Sequence, residues 1–114
     1  IEASITSEHY FTAFDGVYGV AQKLGDGVSI AALSAPSLGL LTFCVLVLRN
    51  GFTVTGESAC ASPENFDAEI GRKIARTNAV QKIWMLEGYL LKQNLHSRSE
   101  FNVSQKVGGV NHGN

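Results

Sequence analysis

The chain has little of what most often announces chemistry in a sequence. Of its 114 residues two are cysteine, two proline, three histidine and one tryptophan, and only 17% are charged. Cys44 and Cys60 stand 16 positions apart without a CxxC pair or a Cys/His cluster, which excludes the usual zinc spacings. Cys44 lies inside an apolar run, so it reads as a buried thiol in a reducing compartment. Neither metal nor cofactor is expected. The longest membrane candidate, Leu38 to Leu48, falls short of the roughly 20 apolar residues a bilayer span needs. The expectation is a soluble chain with no targeting signal and no membrane partner. There is no Gly-Lys-Ser/Thr phosphate loop, and Gly25-Asp26-Gly27 lacks the third glycine of a dinucleotide fingerprint. His9, His96 and His112 are too dispersed to found a Ser/His/Asp relay, and the acidic trio Glu64, Asp67 and Glu69 is explained by the positive end of a helix. No catalytic residue is assigned, and the chain is read as a binder, not an enzyme.

What is present suffices for one folded domain. Hydrophobic residues make up 45%, enough to bury a core at this length but with little margin. The formal charge of −1 argues against a DNA or RNA polymer as partner. Residues 1–57 carry two basic groups against five acidic, whereas residues 58–114 carry seven against five, so an anion site is expected in the C-terminal half.

Residues 3–12 are rich in β-branched and aromatic types and predict a strand. From Asp15 to Ser37 glycines recur among small residues, which predicts loops around a short strand or turn of helix and leaves open whether residues 15–37 form a lid. The runs Leu40 to Arg49 and Phe52 to Gly56 flank Asn50-Gly51, the signature of a two-residue type I′ hairpin. That register sets Leu48 opposite Thr53 and Val47 opposite Val54. The first run is apolar on both faces, while the second alternates and turns Thr53 and Thr55 outward. Ser62 followed by Pro63 predicts a helix start near residue 63. An apolar stripe of Phe66, Ile70 and Ile74 then shifts after Arg76 to Ala79, Ile83, Leu86 and Leu90, with Trp84, Leu91 and Leu95 beside it. An arc this wide points to self-association. From His96 onward the chain is polar and glycine-rich and reads as a flexible tail. The fold expected is α+β: a small antiparallel sheet with a central Asn-Gly hairpin, packed against a C-terminal helix or helices, oligomeric, with one ligand-binding domain over residues 1–95 and a tail over 96–114.

The informative constellation is basic and aromatic. Arg72 and Arg76 are four apart and project from one side of a helix, where they either fork onto one anion or pair with carboxylates such as Glu69. Asn65-Phe66 sets an amide beside a ring at the helix start, fit to stack on a base or to anchor the core. Asn78 is a poor helix former and suggests a hydrogen-bonding task. Lys92 lies about 30 Å along the helix from Arg72, so only antiparallel helices of a dimer bring both to one small ligand.

The segment from Leu41 to Lys92 carries a specific pattern: Asn50-Gly51, then Gly56-Glu57-Ser58-Ala59-Cys60, Pro63-Glu64-Asn65-Phe66, Ile70-Gly71 with Ala75, Lys82-Ile83-Trp84 and Gly88-Tyr89. It resembles a family of small bacteriophage accessory proteins, and among them the first class of Thoeris anti-defence proteins, which act as sponges for nucleotide second messengers. It departs from that pattern at Met85, where a proline is expected, and at Lys92, where an arginine is expected. The resemblance implies an α+β fold, dimers that assemble further to hexamers, and ligand sites at protomer interfaces. It implies binding of glycocyclic ADP-ribose and, in some members, cyclic trinucleotides, without cleavage, in the cytoplasm of the infected bacterium. Thoeris signalling, and through trinucleotides CBASS signalling, would be the processes blocked. Asn65 and Phe66 would then supply stacking, and Lys92 would reach the diphosphate from the other protomer. Arg72, Arg76 and Asn78 join this set on chemical grounds alone. Two other readings remain open: an inhibitor that places its apolar helix face on a host protein, and a hydrolase of the same messengers whose general base is not identifiable in the sequence.

Overall fold

The structure is a computed structural model and describes residues 1–25 and 36–113, with side chains as far as Val103. A short 3-10 turn (Glu2–Ser4) leads into strand β1 (Ile5–Thr12) and helix α1 (Ala13–Leu24). A second 3-10 turn (Pro36–Leu40) precedes strands β2 (Leu41–Leu48) and β3 (Thr53–Ala59), and a third (Pro63–Asn65) precedes helix α2 (Ala68–Gly113). The chain forms two compact units, Ile1–Ile83 and Trp84–Asn114. The architecture is α+β, as expected, with an antiparallel sheet in the order β1-β2-β3.

Where loops around a short strand or turn of helix were expected after Asp15, the chain forms the full helix α1. Its start is a complete capping box: the Asp15 amide donates to the Thr12 hydroxyl, and the Thr12 amide donates to the Asp15 carboxylate. Two orphan donors are satisfied at once, which outweighs the low helix propensity of Gly16 and Gly19. The helix stops at Gly25, whose φ of 70° suits a residue without a side chain. Residues 26–35 lie outside the described residues, and with them much of the segment considered as a lid and most of Gly25-Asp26-Gly27.

The turn between β2 and β3 also differs from expectation. Val47 pairs with Thr53 and Leu46 with Val54, one residue out of the two-residue register. Asn50 does not adopt positive φ; Gly51 alone in this turn does, at 87°. The Gly51 amide donates to the Leu48 carbonyl and the Leu48 amide to the Phe52 carbonyl, so the loop has three residues, Arg49 to Gly51, ending in a left-handed glycine bulge. Thr53 and Thr55 nevertheless point outward while Val54 is buried. In β2, Thr42, Cys44 and Leu46 are buried on one face, and Phe43, Val45 and Val47 are half-buried on the other. Phe43 stacks across the strands on Phe11, ring centroids 5.6 Å apart.

Helix α2 begins five residues later than its apparent signal. Ser62 and Pro63 open only the 3-10 turn, Phe66 is extended (φ −70°, ψ 128°), and the true cap is Asp67, whose carboxylate accepts from the amides of Glu69 and Ile70. The buried stripe is Gly71, Ala75, Ala79 and Ile83, at every fourth position, whereas the expected Ile70 and Ile74 stay about half exposed. The core formed by Cys44, Leu46, Val54, Ala75, Ala79 and Ile83 lies between helix and sheet. Small side chains let the helix come so close that a Cβ on Gly56 would overlap the Ala75 carbonyl oxygen and the Ala79 amide. Helical backbone continues through Gly113, across the stretch read in the sequence as a tail. In the second unit Trp84, Met85, Tyr89, Leu90 and Leu91 are exposed. Among the described residues no helix is long and apolar enough to cross a membrane.

Gly56→Ala is expected to destabilise the protein by about 2–3 kcal/mol, because the clash is with helix backbone and cannot be relieved by a rotamer change. Gly16→Ala, whose Cβ meets nothing within 4 Å in α1, is expected to stabilise by about 0.5–1 kcal/mol. Urea unfolding of both variants tests this; equal effects of the two substitutions would contradict the close packing at Gly56.

Candidate functional site

The extended residue Phe66 sits where the 3-10 turn hands over to α2, and its half-buried ring is the wall shared by two small cavities of the first unit. The first cavity, about 130 Å³, lies between β1, the first turn of α1, β2 and the start of α2; Tyr10, Thr12, Asp15, Thr42 and Arg72 face it with Phe66. The second, about 150 Å³, is bounded by Asn65, Cys60, Asp67, Ile70 and Ile74 on the other side. Both are well below the roughly 300–1,000 Å³ typical of sites that enclose a whole small molecule. Each has room for no more than a fragment of such a molecule.

The first cavity has the richer chemistry. Arg72 is exposed and makes no salt bridge among the described residues, so its five donors remain available to an anion. Asp15 keeps carboxylate acceptor capacity beyond its capping bond. Thr42 is 3% exposed, and its hydroxyl oxygen has no hydrogen-bond partner among the described residues. It lies against Gly71, where a Cβ would stand 3.0 Å from it. A buried hydroxyl without a partner costs about 1–3 kcal/mol, which sets Thr42 apart from the satisfied polar groups around it.

Three of the six residues expected at a ligand site, Asn65, Phe66 and Arg72, line these cavities. Arg76 and Asn78 are engaged in the fold. The Arg76 guanidinium donates from Nε and Nη2 to both Glu8 carboxylate oxygens, at 3.0 and 3.1 Å, and from Nη2 to Glu2 at 2.6 Å. It thus ties α2 to β1 and to the first turn. Asn78 donates to the Glu57 carbonyl at 2.8 Å and, with Lys82 near Thr55, covers part of the outer edge of β3. Lys92 belongs to the second unit. Thr42 and Asp15 were not singled out by sequence reasoning. The signal for Thr42 was a lone hydroxyl inside an apolar strand, and for Asp15 the Thr-x-x-Asp spacing of a cap. Among the described residues no group of three or more His, Cys, Asp or Glu side chains is placed to hold a metal ion.

The chain belongs to a phage protein family. Its residues 1–95 match the family described as phage protein (N4 Gp49/phage Sf6 gene 66). No curated protein and no solved structure matches the chain. In this phage protein the matched region contains both cavities, the sheet and the helix segment that packs on it.

Charges near the first cavity follow from the same contacts. The Arg76 guanidinium, followed by the Tyr10 hydroxyl that donates to it at 2.7 Å, holds the Glu8 carboxyl below its ordinary value of about 4.5. Burial and the bond to Glu8 push the Tyr10 phenol well above its usual range, and burial pushes the Cys44 thiol up, so both stay protonated at neutral pH. Because the folded-state value of Glu8 is depressed, its ion pair stabilises fully above pH 4.5 and the contribution fades as pH falls through the lowered value. Arg76→Ala should thus lower stability by about 1 kcal/mol at neutral pH. The gap to wild type should narrow as pH falls below 4.5 and close once Glu8 is protonated in the folded state. Melting temperatures across that range check this, and a gap independent of pH would rule out the Glu8 pairing as its source.

Proposed function

We propose that this phage protein is an anti-defence sponge: it binds bacterial immune nucleotide messengers, glycocyclic ADP-ribose first and cyclic trinucleotides second, and holds them without cleavage. The observation that carries the reading is the pair of cavities on either side of Phe66, with an arginine in reach of one that makes no salt bridge among the described residues. An aromatic wall can take a base or sugar face, Asn65 offers an amide beside it, and Arg72 offers a fork for phosphate. Membership of a phage family fits an immune-evasion role, and the resemblance of residues 41–92 supplies the ligand class.

Each cavity is too small for a whole messenger, which supports a site completed by a second copy of the chain, with Lys92 of that copy on the diphosphate. The exposed Trp84, Met85, Tyr89, Leu90 and Leu91 offer apolar surface for such assembly, as a homodimer or a hexamer. The same surface favours a second reading, inhibition of a host protein by direct binding. A sponge removes one messenger per site, so it must bind tightly: a Kd near 1 nM corresponds to about −12 kcal/mol, within reach of a nucleotide whose phosphates are paired.

Isothermal titration with glycocyclic ADP-ribose, followed by heat denaturation and chromatography of the released ligand, tests the reading. Tight binding with intact ligand recovered is expected, weakened about tenfold or more by Arg72→Gln, which removes a charge-assisted bond. Degraded ligand would overturn sequestration, and the absence of any heat would turn the reading toward a protein partner.

A further inference from the structure

The residues that face the first cavity are not those of a plain anion site. Arg72 is there, but so is Asp15, and the two make no salt bridge with each other among the described residues. A bare phosphate would meet the Asp15 carboxylate as a like charge. A ligand that donates hydrogen bonds at one end and carries negative charge at the other would satisfy both. Thr12 sharpens the choice: its hydroxyl accepts from the Asp15 amide at 3.1 Å, which leaves its own proton to donate. Thr42 is 3% exposed and unpartnered among the described residues, and a hydroxyl can both give and receive. Two hydroxyls and a carboxylate around a cavity of about 130 Å³ suit neighbouring sugar hydroxyls, with the Phe66 ring covering an apolar face of the ring.

We propose that this cavity is a subsite for a phosphorylated pentose, in which Thr42 and Asp15 read the vicinal hydroxyls and Arg72 holds the phosphate. In the described conformer the Thr42 hydroxyl lies beneath Gly71; rotation about the Cα–Cβ bond carries it to another staggered position, from which it meets its partner on the sugar. The assignment rests on the nucleotide reading in that the sugar is presented as part of a nucleotide, yet it specifies residues which that reading leaves open.

The cost of the unpaired hydroxyl gives the assignment a readout that a structural role for Thr42 would not share. Thr42→Val keeps the shape and removes the oxygen, so the free protein should melt higher than wild type while binding weakens by about tenfold. Thr42→Ser should restore binding. The probes are D-ribose 5-phosphate, 2-deoxy-D-ribose 5-phosphate and inorganic phosphate, titrated at millimolar concentration and followed by NMR shifts. Ribose 5-phosphate is expected to bind wild type best, the deoxy sugar more weakly and phosphate weakest. Equal binding of the two sugars, equal binding by Thr42→Val, failure of ribose 5-phosphate to bind, or a lower melting temperature for Thr42→Val would each overturn the assignment. Repeating the comparison with glycocyclic ADP-ribose separates the two claims. A messenger bound equally by wild type and Thr42→Val leaves the sponge and removes the subsite. A chain that binds ribose 5-phosphate but not the messenger keeps the subsite and removes the sponge.

Discussion

Everything in the first unit depends on how closely α2 approaches the sheet. Gly56 lies under Ala75 and Ala79, Thr42 lies under Gly71, and at neither point is there room for another carbon without displacement. The close approach seals Cys44, Leu46 and Val54 from water with small side chains in place of large ones. It also brings Arg76 within reach of Glu8 and Glu2, and Asn78 within reach of the β3 edge. The functional consequence lies one turn earlier: with the helix pinned at Ala75, its first turn and the extended Phe66 hang over the ends of β1 and β2, and the cavities open there.

This geometry explains which parts of the fold were legible in the sequence. The strands at residues 5–12 and 41–48, and the third as far as Gly56, announced themselves through β-branched and apolar runs, and Thr53 and Thr55 through alternation, whereas the extension of β3 to Ala59 did not. The packing face of α2 was legible in part: Ala79 and Ile83 were expected in the stripe and are buried, but before them bulky Ile70 and Ile74 were expected where a helix lying this close buries Gly71 and Ala75 instead. Helix α1 was hidden behind its glycines, although Thr12 and Asp15 held the spacing of a cap. The hairpin was misread by one residue because Asn-Gly serves two turns. In the two-residue turn both residues take positive φ, and in the three-residue turn used here only the glycine does.

At the candidate site the division is chemical. Asn65, Phe66 and Arg72 were legible because an amide, a ring and a cation near a helix start are recognisable types. Arg76 and Asn78 looked equivalent to them in sequence, yet their partners, Glu2, Glu8 and the Glu57 carbonyl, are brought to them only by folding across more than 20 residues of chain. Thr42 was the reverse case, an ordinary strand residue whose isolation becomes visible only when its neighbours are in place. Membership of a phage protein family bounds the setting and leaves the chemistry to these side chains.

The central claim is that ligand chemistry is concentrated around Phe66, between the start of α2 and the end of β1. Its most direct test is backbone and methyl NMR of the full chain on addition of glycocyclic ADP-ribose, with shifts mapped onto the structure. The account predicts that the largest changes fall on Thr12, Asp15, Thr42 and residues 65–72. Changes of that size confined to residues 84–95, or spread evenly over the chain, would contradict it.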